Sequence, residues 1–253
     1  MSDPKDSLCF ALDVPGVEEA RRLVELLAPC VGLFKVGLEL FVKEGPGLLS
    51  SIHSWGAERI FLDLKFHDIP RTVHRARRSA GRLPVDFLSV HCESLLDGPE
   101  GPKTSDQEAL PSLLGITILT SLSEEDLRRL GYAGESSVTD IVLMRAEIAR
   151  KAGCAGVVCS GREVEAVRGR FGPDFIILTP GVRPAWSVVS GDDQARILTP
   201  YDAIRSGSDF VVVGRPISQA EDPEEAARKI LDEIREGLKD RNPQATPPES
   251  QPL

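Results

Sequence analysis

The sequence predicts an α/β protein folded as a (β/α)8 TIM barrel, and three observations carry that prediction. Eight short runs rich in Val, Ile, Leu and Phe recur along the 253 residues. Segments with apolar residues at three- and four-residue spacing lie between them, as amphipathic helices do. The runs are near-continuously apolar, the pattern of parallel strands covered by helices. An open doubly wound sheet is the competing arrangement, but no Gly-x-Gly-x-x-Gly follows the first run, and a count of eight fits closure.

In chain order, the first run (8–14) ends near Asp13 and is followed by a helix over 17–28. The second (33–38) holds Lys35, and the third (59–65) ends on Asp63 and Lys65. The fourth (87–92) reaches His91; the turn-rich stretch 97–106 then reads as a loop where a fourth helix would be expected. The fifth (114–120) closes with Thr120-Ser121 and precedes a helix over 138–151. The sixth (156–160) leads to a helix over 163–170, and the seventh (175–179) to Thr179-Pro-Gly-Val-Arg183. The eighth (210–214) runs into Gly214-Arg215 before a helix over 223–238. Residues 1–240 are thus expected to form one catalytic barrel domain, and 241–253, with four prolines, a disordered tail.

Bulk properties exclude several classes. Hydrophobic residues make up 41% and charged ones 27%, which is enough apolar material for a core. A net charge of -9 argues against non-specific nucleic-acid or anionic-membrane binding, since both need a basic face. An anionic ligand would therefore need a locally basic site. Five cysteines without a CxxC pair read as buried thiols in a reducing compartment. The N-terminus lacks a secretory pattern and no apolar run approaches the ~20 residues of a membrane span, so the cytoplasm is expected. His53, His67, His74 and His91 do not fall at metal-ligand spacing, and no metal is expected.

The most informative stretch is Phe61-Leu-Asp-Leu-Lys-Phe-His-Asp-Ile-Pro-Arg-Thr72. Strand alternation puts Asp63 and Lys65 on one face and Leu62, Leu64 and Phe66 on the other. Inward charges are costly unless paired, so the Asp63/Lys65/Asp68 set marks either a structural network or catalysis. Chemistry in such barrels sits at the C-terminal ends of strands, where Asp13, Lys35, Thr120, Ser121, Gly214 and Arg215 also fall. Arg183, Gly214 and Arg215 follow the last two runs, a frequent phosphate position. The polar loop 185–195 between them reads as a lid, with Gln194 as a possible phosphate donor.

With these residues in place, the chain resembles the orotidine 5′-phosphate decarboxylase family, which catalyses the last step of de novo UMP synthesis. The resemblance rests on Phe10-Ala-Leu-Asp13, Phe34-Lys-Val-Gly37, Phe61-Leu-Asp-Leu-Lys-Phe-His-Asp-Ile-Pro70, Leu119-Thr-Ser121, Thr179-Pro-Gly-Val-Arg-Pro184 and Val211-Val-Val-Gly-Arg-Pro216, in family order. It implies a cofactor-free homodimeric barrel in which Lys65 is the proton donor and Asp63 and Lys35 complete a charged array. By the same resemblance Asp68 enters the neighbouring subunit's site, with Ile69 and Thr72 beside it. The resemblance further implies that Asp13, Lys35, Asp63, Thr120, Arg183, Gln194, Gly214 and Arg215 bind substrate, with the phosphate among Gln194, Arg183, Gly214 and Arg215 and Ser121 against the pyrimidine. The chain departs from the family pattern after His91, where Cys92-Glu-Ser-Leu-Leu replaces a small residue and a Gly-Gly pair. Two rivals are a Mg²⁺-dependent sugar-phosphate decarboxylase of the same suprafamily, sharing the Asp-x-Lys-x-x-Asp spacing, and a non-catalytic nucleotide- or protein-binding barrel.

Overall fold

The computed structural model describes residues 3–96, 110–132, 137–187 and 198–241. Eight parallel strands close into a barrel in sequence order. They are β1 (Leu8–Ala11), β2 (Leu33–Gly37), β3 (Ile60–Phe66), β4 (Phe87–His91), β5 (Ser112–Ile116), β6 (Gly156–Val158), β7 (Ile176–Thr179) and β8 (Phe210–Val213). The β8–β1 ladder, with Leu8 opposite Val211 and Phe10 opposite Val213, closes the ring. Between the strands run α1 (Val17–Leu27), α2 (Leu38–Glu44), α3 (Gly47–Ser54), α4 (Pro70–Ala80), α5 (Glu124–Arg129), α6 (Val138–Lys151), α7 (Val164–Phe171), α8 (Pro200–Ser206), α9 (Arg215–Ser218) and α10 (Pro223–Asp240). The expected loop at 97–106 lies outside the described residues, as does the expected tail at 241–253 apart from Arg241, which donates to the carbonyls of Gly207 and Ser208.

Local chemistry sets the helix starts. Ser123 and Ser137 cap α5 and α6, each bonding the N–H three residues on while Asp126 and Asp140 reach back to the cap N–H. Thr199 and Asp222 cap α8 and α10, each of which has proline in its first turn.

Alternation along the strands sorts side chains into two cores. Leu8, Phe10, Phe34, Val36, Ile60, Leu62, Leu88 and Val90 face the helices. Cys9, Ala11, Leu33, Phe61, Phe87, Leu114, Leu178, Phe210 and Val212 fill the barrel interior. Phe87 and Phe210 meet edge to face at 5.7 Å, so the barrel floor is a packed plug. Continuing the inward parity toward the C-terminal strand ends places Lys35, Asp63 and Ser89 above that plug.

Arginines fasten the lower rim, Arg77 on the carbonyl of Pro111 and Arg241 on those of Gly207 and Ser208 among them. Arg168 is buried and donates to the carbonyls of Gly172, Phe175 and Gly207 and to Asp209. Arg59 donates to the carbonyls of Gly32 and Asp6. Each guanidinium supplies several donors to backbone oxygens that loops leave outside any ladder.

Candidate active site

Above the plug, four charges alternate in sign. Lys35 Nζ lies 3.0 Å from Asp13 Oδ1 and 3.9 Å from Asp63 Oδ2, and Lys65 Nζ lies 2.8 Å from the same Asp63 oxygen. The side chains of Lys35 and Asp63 are 12% and 11% exposed, against 61% for Asp13 and 33% for Lys65, so the line is buried at its centre and open at both ends. Gly37 leaves room for the Asp13–Lys35 pair, since a Cβ there would crowd it, at 3.1 Å from Asp13 Oδ1 and 3.2 Å from Lys35 Nζ. An ammonium has three donors; Lys65 uses one on Asp63, leaving the others for a ligand over the barrel axis.

Lys65 and Asp63 share a face, as alternation predicts, but the strand between them is not regular. Leu62 pairs with Leu88 and Phe66 with Val90, so β3 advances four residues while β4 advances two. The excess is even, and Leu64 and Phe66 still pack against the outer core. Within this bulge Lys65 has φ 50, among the described residues the one non-glycine position in the left-handed region. Its N–H donates to Ser89 Oγ at 2.8 Å, and Ser89 Oγ donates to Asp63 Oδ1 at 2.8 Å. Farther on, Asp68 N–H donates to the buried Ser94 Oγ at 3.2 Å. Sequence reasoning singled out neither serine. A signal was present for Ser89, a hydroxyl with the inward parity of Phe87 and His91 inside an apolar run.

Asp68, Ile69 and Thr72 are exposed where α4 begins. Asp68 Oδ1 accepts from Ile69 N–H at 2.6 Å, and Asp68 forms no ion pair among the described residues. Thr120 and Ser121 are also exposed, in a turn four and five residues past the end of β5. The strand was expected to run to Thr120 but stops at Ile116. Thr117 N–H and Oγ1 both donate to the Val158 carbonyl, while the buried Arg145 of α6 takes the Thr117 carbonyl and so ends the ladder.

On the far side of the mouth, β7 and β8 are paired neighbours, so the segments after them carry Arg183 and Arg215 to adjacent positions on the rim. Gly181 has φ 74, which lets Thr179-Pro-Gly-Val turn sharply, and Arg183 N–H is fixed on the Leu198 carbonyl at 3.0 Å. Gly214 precedes α9, its carbonyl accepting from Ile217 and Ser218 N–H, and Arg215 projects into solvent. The first part of the expected lid is a short turn, Ala185–Ser187, whose Trp186 ring lies under Lys229. Gln194 lies outside the described residues.

His91 stacks on His67 with ring centroids 4.7 Å apart. Burial lowers its pKa, helped by His67, Arg145 and Lys65 and opposed by Glu93. Glu93 in turn pairs with Arg145, which also meets Tyr132. All five cysteines are free and buried. Desolvation raises the thiols of Cys9, Cys92 and Cys159 and pushes that of Cys154 up to about 12, leaving them poor nucleophiles.

Comparison with known proteins finds relatives over most of the chain. The family model described as Orotidine 5′-phosphate decarboxylase / HUMPS family matches residues 6–230. The orotidine 5′-phosphate decarboxylase of Desulfosudis oleivorans is 48% identical, with 93% of this chain and 96% of the relative covered. That of Syntrophus aciditrophicus is 45% identical over the same shares. The crystal structure of orotidine 5′-phosphate decarboxylase from Lactobacillus acidophilus superposes with a TM-score of 0.72 at 33% identity, covering 90% of this chain and 98% of that one. With a closed barrel, a charged line at its strand ends and full-length relatives of one activity, the chain belongs to the orotidine 5′-phosphate decarboxylase / HUMPS family.

Proposed function

We propose that this site carries out the decarboxylation of orotidine 5′-phosphate to UMP and CO2, with Lys65 as the group that stabilises and then protonates C6. Loss of CO2 from C6 of the uracil ring leaves an electron pair in the ring plane, where the π-system cannot absorb it. The site must therefore meet that charge directly, with a preorganised cation. Lys65 Nζ, held 2.8 Å from Asp63 at the mouth of the barrel, supports this role more than any other observation. After CO2 departs, the same ammonium delivers a proton to C6 and ends as the neutral amine.

One cation about 4 Å from the developing carbanion contributes on the order of 4 kcal/mol at an effective dielectric near 20. Enzymes commonly reach about 8–23 kcal/mol, so Lys65 cannot act alone. Asp63, Lys35 and Asp13 supply a prearranged field, and the remote phosphate, gripped by Arg183, Gln194, Gly214 and Arg215, supplies binding energy that holds the substrate in it. Thr120 and Ser121 contact the substrate from the β5 side.

The second acidic group, Asp68, is assigned to the neighbouring subunit's site in a homodimer, beside Ile69 and Thr72. Its exposure and its lack of an ion pair among the described residues support that assignment. So do the exposed Leu38, Val42, Ile69 and Leu96, which follow the neighbouring strands β2, β3 and β4 at this same end of the barrel.

The direct test is the ultraviolet absorbance change on mixing purified protein with orotidine 5′-phosphate. A full rate after EDTA treatment is expected. Metal dependence, with turnover of an acyclic keto-acid phosphate instead, would favour the sugar-phosphate rival; a Lys65→Ala protein that binds UMP and fulfils its cellular role would favour a non-catalytic barrel.

A further inference from the structure

We propose that Ser89 is a positioning residue for Lys65, fixing its backbone directly and its ammonium through Asp63. This rests on the role given to Lys65 above. The hydrogen bonds close a ring: Lys65 N–H donates to Ser89 Oγ, Ser89 O–H donates to Asp63 Oδ1, and Lys65 Nζ donates to Asp63 Oδ2, each at 2.8 Å.

The ring answers a specific problem. In regular parallel pairing the odd residues of β3 bond β2, as the Arg59 carbonyl does with Phe34 N–H, and the even ones bond β4, as the Ile60 carbonyl does with Asp86 N–H. The bulge between Leu62 and Phe66 takes the Lys65 N–H out of that alternation and turns it to β4, where it meets Ser89 Oγ and no ladder carbonyl. Lys65 is also held at φ 50, a conformation that a β-bearing residue keeps only when its surroundings impose it. Ser89 is 0% exposed and stands at the bulge. A serine hydroxyl has one donor and two acceptor sites, so it can take the orphaned N–H and still give its proton to the carboxylate. Alanine offers neither. A backbone amide and a carboxylate are thereby locked to one atom, and the lysine that spans them has both of its ends referenced to β4.

The test compares the parent with Ser89→Ala and Ser89→Thr, measuring kcat, KM, UMP affinity, melting temperature and exchange of the UMP C6 hydrogen for solvent deuterium. For Ser89→Ala, kcat and the C6 exchange rate are expected to fall together about 10- to 100-fold, with UMP affinity changed by less than about threefold. Ser89→Thr, which keeps the hydroxyl, restores most of both. Should the added methyl lower the melting temperature, Ser89→Cys, of similar shape and with a weak donor, is expected to fall between serine and alanine. The inference is overturned if Ser89→Ala retains kcat, if kcat, UMP affinity and melting temperature all decline in step, or if a folded Ser89→Thr is as slow as alanine. A parent protein inert towards orotidine 5′-phosphate would remove the assigned role of Lys65 and this inference with it, whereas an active parent with an indifferent Ser89→Ala removes the inference alone.

Discussion

Lys65 finds its carboxylate partner in Asp63, two residues back and 2.8 Å away, and not in Asp68, three residues on in the same segment. Asp68 is turned to the surface with its N–H tied to Ser94. If Asp68 serves a neighbouring copy, Lys65→Ala and Asp68→Asn should each be nearly inactive as pure proteins. After mixing and subunit exchange, about a quarter of parent activity should return, because half of the dimers are hybrids with one intact site of two. Activity measured against mixing ratio checks this, and no recovery despite exchange would place Asp68 outside the partner's site.

Arg215 reaches the rim two residues past β8, distant in chemistry from C6. Arg215→Ala is expected to lower kcat/KM by about 100-fold or more, with added phosphite dianion recovering part of the loss if phosphate binding energy drives organisation of the site. A change confined to KM would show that the arginine contributes uniform binding only.

Arg168 holds the lower rim, donating to three backbone carbonyls and to Asp209 while itself almost fully buried. Arg168→Ala takes the donor from the Gly172 and Phe175 carbonyls, while Arg241 still reaches the Gly207 carbonyl and Asp209. A loss of about 2–4 kcal/mol in urea unfolding is expected, with kcat little changed in the fraction that remains folded.

His91 gives a pH dependence with a definite sign. Burial, with His67, Arg145 and Lys65, lowers its folded pKa below the ordinary 6.5. The unfolded chain therefore binds the proton more readily, and stability rises with pH in that window. The contribution is fully present above 6.5 and is lost as the pH falls towards the folded value. Urea midpoints taken on either side of pH 6.5 should fall less on acidification for His91→Asn than for the parent.

Much of this was legible in the chain because barrel strands write themselves locally. Each of the eight expected runs overlaps an observed strand, and the helix expected over 138–151 matches α6. Asp63 and Lys65 share a face as predicted, but only because the bulge adds an even number of residues. The bulge depends on pairing with β4, which no local pattern records. The early end of β5 has a similar cause, since the cap on Thr117 arrives from Arg145 on α6, 28 residues away. Arg168 lies within the segment read as an amphipathic helix, yet its burial is decided by loops around Gly172 and Gly207 that the helical period does not contain.

The left-handed backbone at residue 65 sets activity and thermodynamic fitness against each other at one position. That conformation disfavours a side chain by roughly 1–2 kcal/mol, and glycine or asparagine would tolerate it better. A population evolved in the laboratory for heat resistance alone should drift to glycine there, trading its proton donor for a relaxed turn. Heat-resistant isolates that have lost turnover would then carry the record of that conflict in a single codon.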